Sequence, residues 1–121
     1  MEIYRGDIVE IDFGTCINGS IQGYKRPAVV ISNNKNNLYS TVLTVVPLST
    51  KYKKKPYLPT HVFVPKKQCE GLEQNSVALA EQITTINKER ICNNLGSVNE
   101  LVLMKITKAV QIQVGVFETF N

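Results

Sequence analysis

The chain has 121 residues, of which 43% are hydrophobic and 20% are charged, an ordinary composition for one globular domain with one modest core. No apolar run approaches the roughly 18 residues that a membrane-spanning helix needs, and the first residues lack the apolar stretch of a signal peptide. These features predict a cytoplasmic protein. The formal net charge is +4, and its distribution along the chain is more informative than its total.

The cysteines and the single histidine bear on cofactors. The three cysteines are widely spaced, and none forms a Cys-x-x-Cys pair: Cys16, Cys69 and Cys92. This pattern favours reduced thiols over a disulfide framework or a zinc site. With one histidine, a metal centre would have to draw on scattered acids, so we expect neither a metal nor another cofactor.

The first half of the chain is typical of β structure. Residues 2–13 alternate apolar and polar side chains and predict a first strand. Residues 14–25 contain three glycines with Asn and Ser and predict a long loop. A second strand is predicted at 27–32, a turn at 33–37 (NNKNN) and a β-branched third strand at 41–48.

The second half begins with a basic segment. Residues 51–67 contain six lysines and no acid, and they include a short fourth strand at 60–64. A longer strand is predicted at 75–86, followed by a single helical turn at 87–90. Strands with only short helical inserts predict a mainly β (α+β) fold, a small and strongly curved antiparallel sheet or partly open barrel.

The C-terminal region changes its hydrophobic period. Ser97 and Glu100 have the spacing of a capping box, in which Ser97 would bond the first free amides of a helix. The following apolar side chains recur at helical spacing: Val102, Ile106, Ala109 and Val110. We expect one amphipathic C-terminal helix whose apolar side packs against the sheet.

Two interpretations of the lysine-rich segment 51–67 stay open. A local basic surface attracts polyanions such as nucleic acids. A solvated loop that keeps the protein soluble has the same composition.

Arg26 and Ser49 are the leading candidates for a chemical site, because the sequence contains no phosphate-binding GxxxxGK, no GxSxG and no dinucleotide fingerprint. If the second and third strands are antiparallel neighbours, Arg26 and Ser49 share one sheet edge, with Lys51 beside them. A guanidinium fork next to a hydroxyl suits a phosphate. The alternative is a structural ion pair between Arg26 and Glu81 or an acid of the first strand.

Five segments of the chain carry a resemblance to a known family. They occur in the order and spacing of MazF/PemK-type toxins, the ribonuclease halves of toxin–antitoxin pairs: RGDIVEIDFG, GSIQGYKRPAVVIS, VVPLST, LPTHVFV and NSVALAEQITTINKERI. The resemblance covers nearly the whole chain, interpreted as one toxin domain over residues 1–121, and is greatest to the Gram-positive branch. It implies an SH3-like small barrel with a C-terminal helix that acts as a homodimer. It also implies metal-independent cleavage of single-stranded RNA to 2′,3′-cyclic phosphate and 5′-hydroxyl ends.

The resemblance also implies roles for individual residues. The family's arginine falls on Arg26 and its hydroxyl on Ser49, with Thr50 one position later as the other candidate. His61 is left between an acid–base, a structural and an RNA-contacting role. The predicted RNA-binding residues are Gly19, Ser20, Gln22, Lys25, Lys51, His61 and Gln82.

Two other functions remain as alternatives at this stage. One is a CcdB-type gyrase poison, which binds protein and cuts nothing; the other is a non-catalytic SH3-like module that binds RNA or protein. The resemblance further implies a cognate antitoxin with an acidic, partly disordered tail. We expect RNA and this tail to share one surface, formed from residues 14–25 and 51–60.

Overall fold

The computed structural model describes residues 2–14, 24–52, 58–69 and 71–117. The strands and helices of these residues are β1 (Asp7–Gly14), β2 (Tyr24–Val30), α1 (Asn34–Tyr39), β3 (Val42–Ser49), β4 (His61–Val64), β5 (Ser76–Leu79), β6 (Thr84–Asn87), β7 (Ile91–Ser97) and α2 (Glu100–Gln113). Three 3-10 turns are interspersed at Lys66–Gln68, Ala80–Gln82 and Lys88–Arg90. The mainly β, α+β class predicted from the sequence is confirmed. No helix in these described ranges is both long and apolar enough to span a membrane.

The strands form one antiparallel sheet in which β3 has a special position. The strand order is β4-β5-β3-β2-β1-β7, and β6 also pairs with β3. The beginning of β3, Val42–Val45, pairs with β6, whereas Leu48 and Ser49 at its end pair with β5. One strand therefore belongs to both halves of the sheet, which gives the strong curvature predicted from the sequence.

Each face of the curved sheet has its own apolar core, because successive side chains of a strand point to opposite faces. Ile8, Val29 and Val46 face a core completed by β4, β5 and the apolar side of α2. Their chain neighbours face the second core, which includes Ile3, Ile11, Leu43 and Ile86. Two-sided burial explains the apolar end of β2, residues 28–30, and the nearly continuous apolar sequence of β3.

The C-terminal helix is confirmed, but its N-cap lies two residues after the predicted one. Asn99 is the cap: its side-chain oxygen accepts a hydrogen bond from the Val102 amide at 2.9 Å. Ser97 cannot cap the helix because it is the last residue of β7 and pairs with Asp7 of β1. Val102 and Ile106 are buried against the sheet as expected.

The predicted turn at 33–37 is wrong, since these residues begin the short helix α1. Asn33 caps this helix by accepting a hydrogen bond from the Asn36 amide at 2.8 Å. Asn37 is buried, and its amide group donates to the Ser32 carbonyl at 2.8 Å. Asparagine favours both turns and helix caps, so the run NNKNN did not distinguish between them.

The long strand predicted at 75–86 is also corrected. The 3-10 turn Ala80–Gln82 divides it into β5 and β6, which pair with different parts of β3. Sequence analysis missed β7 altogether, because its Asn and Gly residues have low β propensity. β7 is an edge strand of the described sheet and pairs with β1 alone.

The predicted starts of the first two strands are shifted by several residues. β1 begins at Asp7, after a turn in which Gly6 has a φ of +95°. β2 begins at Tyr24, so Arg26 lies inside the strand and pairs with Ile11 of β1. Pro27 has no amide hydrogen to donate, and β2 pairs with β3 from the next residue, Ala28.

Candidate active site

Arg26 is held in place by the pairing of its strand with β1 and by the contacts of its guanidinium group. Its strand pairs with β1 through Ile11. Its Nη2 donates a hydrogen bond to the Leu48 carbonyl of β3 at 3.1 Å, and its Cζ lies 5.7 Å from the centre of the Tyr24 ring. These contacts fix the half-buried guanidinium and, among the described residues, leave most of its five N–H donors available to a ligand.

Ser49 and Thr50 lie beside Arg26 because of the register between β2 and β3. Ala28 pairs with Pro47 in this ladder, and the same register continued by two residues brings Arg26 opposite Ser49. The Ser49 Oγ accepts the Lys51 amide hydrogen at 3.2 Å, which leaves its own O–H free to donate. Ser49 is buried, whereas Thr50 is exposed.

These residues border one open groove of about 390 Å³, called here the Arg26 groove. Its lining consists of Tyr24, Lys25, Arg26, Pro27, Leu48, Ser49, Thr50, Lys51, Tyr52, Leu79 and Gln82. The predicted shared edge of Arg26, Ser49 and Lys51 is therefore present, together with the predicted Lys25 and Gln82. A guanidinium, two ammonium groups and two hydroxyls around one groove can bind a phosphodiester.

The alternative role of Arg26, an ion pair with Glu81 or an acid of the first strand, is not what the geometry shows. Within the described residues, the Glu81 carboxylate forms a hydrogen bond with the His61 ring at 2.7 Å. The Glu81 carboxylate is thus already bound, and the fixed partner of Arg26 is the neutral carbonyl of Leu48. A cation with no acidic partner among the described residues is suited to an anionic ligand.

His61 lies behind the groove. It is 7% exposed and does not belong to the residues that line the Arg26 groove in the described part of the chain. Its Nε2 is 2.7 Å from Glu81 Oε2, and the Thr60 hydroxyl donates to the other carboxylate oxygen at 2.9 Å. A carboxylate can only accept, so Nε2 carries the proton.

The environment of Glu81 lowers the pKa of its carboxyl. Burial raises this pKa, but the hydrogen bonds from His61, from the Glu81 backbone and from Thr60 favour the ionised form and outweigh the burial. Because the pKa is lower in the folded chain than in the unfolded chain, ionised Glu81 stabilises the fold. This contribution is complete above the ordinary glutamate pKa of about 4.3 and is lost as the pH falls through the folded-state pKa.

We therefore expect the melting temperature of Glu81→Gln to depend less on pH in the acidic range than that of the natural chain. The melting temperature of the natural chain should fall more steeply below about pH 4.3 than that of Glu81→Gln, whose amide does not titrate in this range. Thermal unfolding followed by circular dichroism over this pH range measures the difference. Glu73→Gln, at an exposed glutamate, is the control. Parallel profiles of the natural chain and Glu81→Gln would contradict the lowered pKa.

Several predicted site residues cannot be placed. Gly19, Ser20 and Gln22 lie outside the described residues, as do Cys16 and the segment 53–57 of the lysine-rich run. Their proposed contacts with RNA stay predictions. Within the described residues, no three His, Cys, Asp or Glu side chains form a group that could hold a metal ion.

Tyr24 and Tyr52 both belong to the groove, and sequence reasoning missed the role of Tyr52. Both rings line it, and Tyr52 is 42% exposed. The available signal was the alternation of aromatic and basic residues in KYKKKPY (51–57). Unpaired bases stack on aromatic rings while cations bind the phosphates, so this pattern is typical of single-strand binding surfaces.

The fold and this groove define the class of protein to which the chain belongs. Residues 4–114 match the family described as PemK-like, MazF-like toxin of type II toxin-antitoxin system. The chain is a member of this family. The membership favours the nuclease interpretation over the gyrase poison and over the non-catalytic binding module.

Two curated relatives are similar over almost their whole length. Endoribonuclease EndoA of Bacillus subtilis (strain 168) is 34% identical over 118 residues, which are 98% of this chain and 99% of the relative. Endoribonuclease MazF of Staphylococcus epidermidis is 35% identical over 113 residues, or 93% and 92% of the two chains.

Solved structures confirm the fold. A mycobacterial endoribonuclease in complex with its cognate antitoxin has a TM-score of 0.77 at 23% identity, with 97% of this chain and 99% of that chain covered. A MazE–MazF complex from Deinococcus radiodurans has a TM-score of 0.72 at 20% identity, with 95% and 97% covered. The predicted SH3-like barrel with a C-terminal helix is thus the architecture of MazF-type structures.

Proposed function

We propose that the chain is the toxin of a type II toxin–antitoxin pair and a sequence-selective endoribonuclease that cleaves single-stranded RNA in the cytoplasm without a metal ion. The observation that carries the proposal is the position of Arg26 beside Ser49 and Thr50 in one open, positively charged groove. The family membership and the endoribonuclease relatives support the same activity.

The groove suits an attack by the RNA on itself. In this reaction the 2′-hydroxyl loses its proton as its oxygen bonds to the adjacent phosphorus. The bond from phosphorus to the 5′ oxygen breaks, this oxygen takes up a proton, and a 2′,3′-cyclic phosphate and a 5′-hydroxyl result. No protein nucleophile is needed. Negative charge grows on the phosphoryl oxygens, and Arg26 stabilises it with several N–H donors. The hydroxyl of Ser49 or Thr50 binds a non-bridging oxygen or steers a proton.

Arg26 is better suited to charge stabilisation than to acid–base catalysis. A guanidinium stays protonated at physiological pH and is a poor proton donor. The lysines of the groove, Lys25 and Lys51, attract the phosphate backbone without reading its sequence. Bases would stack on Tyr24 and Tyr52 and bond to Gln82, which is exposed.

RNA oligonucleotides with a blocked 2′ position test this mechanism. Cleavage should persist in EDTA and stop when the 2′-hydroxyl at the cut is replaced by hydrogen or a methoxy group. Sequencing and chemical mapping of the RNA ends give the cut site and the end groups. Cleavage of a blocked linkage would refute the 2′-hydroxyl mechanism, and loss of activity in EDTA would refute metal independence. Intact RNA under all conditions would refute the nuclease function.

We also propose two protein partners, a second copy of the chain and a cognate antitoxin. Leu101 and Met104 of α2 are 58% and 68% exposed beside an apolar groove of about 710 Å³ between α2 and β4, a surface that a second copy would cover. Sedimentation velocity tests the homodimer.

For the antitoxin, an acidic tail would compete with RNA for the basic Arg26 groove. Simultaneous, independent binding of the tail and an uncleavable RNA would contradict the shared surface.

A further inference from the structure

A chain of contacts behind the Arg26 groove connects two of its walls. The Tyr52 ring lies on one wall and packs against the His61 ring in a T-shaped contact, with 4.9 Å between the ring centres. His61 Nε2 bonds to Glu81 at 2.7 Å. Glu81 directly precedes Gln82, which lies on another part of the groove lining. One buried imidazole thus contacts Tyr52 directly and is linked to Gln82 through Glu81.

The Glu81 end of this chain is rigidly held. Its two carboxylate oxygens bind different partners, His61 and the Thr60 hydroxyl. The backbone adds a further link, because the Ala80 amide donates to the Thr60 carbonyl at 3.0 Å. Three hydrogen bonds therefore tie the 3-10 turn Ala80–Gln82 to the residues at the start of β4, and so link the backbone of Gln82 to that of His61.

The orientation of His61 carries an energetic penalty. Its side chain is 4% exposed, and its Nδ1 is buried without a hydrogen-bond partner among the described residues. Burial of an unpaired polar atom destabilises a fold, and an apolar side chain of similar shape would avoid this penalty. The imidazole differs from such a side chain in one respect: it offers a ring to Tyr52 and an N–H to Glu81 at the same time.

We propose that His61 and Glu81 are positioning residues, which hold Tyr52 and Gln82 at the separation that RNA needs in order to place its phosphate against Arg26. This inference rests on the proposed nuclease function. Displacement of a bound substrate by about 1 Å can lower a rate by about 100-fold, so control of the groove width is a direct control of catalysis. His61 acts here without touching the RNA.

Two substitutions at His61 separate its two contacts. His61→Phe keeps a ring for Tyr52 and removes the hydrogen bond to Glu81. His61→Gln keeps an N–H donor for Glu81 and removes the ring. Asn37→Ala is the matched control, because Asn37 is also a buried, hydrogen-bonded polar side chain but lies at the α1 end of the β2–β3 hairpin, away from the groove.

The experiment measures kcat and KM on a short RNA, the melting temperature, and the NMR signals of ¹³C-labelled tyrosine rings. The Tyr52 signal is assigned with Tyr52→Phe. We expect both His61 variants to lose about tenfold or more in kcat at temperatures where they are folded. The Tyr52 signal should shift in His61→Gln and change much less in His61→Phe. Asn37→Ala should lower the melting temperature without changing kcat.

Two results would overturn the proposal. The first is a kcat that is unchanged in both His61 variants, or that falls only in proportion to the fraction of protein that is unfolded. The second is a Tyr52 signal that does not respond to His61→Gln. If the unaltered chain cleaves no RNA, the proposed function fails and the positioning role fails with it. An active unaltered chain with fully active His61 variants would refute the positioning role alone.

Discussion

Arg26→Ala is expected to abolish detectable RNA cleavage, a loss of at least about 1000-fold in kcat. The guanidinium is the cation whose fixed contact, the Leu48 carbonyl, carries no charge of its own. Its free N–H groups are the donors best placed to bind the charge that grows on the phosphate. Alanine removes all of them at once, and no described groove residue presents a similar planar set of donors.

The fold should survive this substitution. Arg26 is half-buried, and alanine removes one side-chain hydrogen bond, a contribution of about 0.5–1.5 kcal/mol. The melting temperature and far-ultraviolet circular dichroism of the variant check this point. Arg26→Lys is the informative companion: it keeps the charge but lacks the planar fork, so RNA binding should persist while kcat stays low. Cleavage by Arg26→Ala within about tenfold of the natural rate would refute the assigned role.

Ser49→Ala is expected to lower kcat by about 100-fold or more, because its hydroxyl donates to the developing charge. Ser49 is buried next to Arg26, and the Lys51 amide holds its oxygen at 3.2 Å. Rotation of the hydroxyl is thereby restricted, as β-branching would restrict it in a threonine. Thr50 is exposed and lacks this fixed orientation.

Thr50→Ala is the matched comparison for Ser49→Ala. We expect it to change kcat by less than about tenfold and to act mainly on KM. Single-turnover kinetics on one RNA substrate separate binding from cleavage in both variants. Normal cleavage by Ser49→Ala together with a large loss in Thr50→Ala would move the catalytic hydroxyl by one residue.

The sequence predicted those parts of the molecule that depend on one periodic signal. The β-branched run of β3 and the apolar stripe of α2 each determine one element, so both were found. The proximity of Arg26 and Ser49 followed from antiparallel pairing of neighbouring strands. The division of residues 75–86 by a 3-10 turn did not follow, because buried strands and buried turns have the same apolar composition.

The sequence predicted only those parts of the candidate site that depend on charged side chains and hydroxyl groups. The groove role of Tyr52 and the burial of His61 depend on contacts between residues distant in the chain. A histidine next to a proline–threonine turn is equally compatible with a surface ligand and a buried pair. Only the fold shows that β4 brings His61 to Glu81, 20 positions away in sequence.

The β2–β3 ladder has a consequence for the diversification of such proteins. Arg26 bonds to the carbonyl of Leu48, the residue immediately before Ser49, so one hydrogen bond and one peptide bond connect the cation to the residue that carries the hydroxyl. Their spacing is set by contacts within β2 and β3. Changes of sequence outside these two strands can therefore accumulate over generations while the spacing of the cation and the hydroxyl is inherited intact.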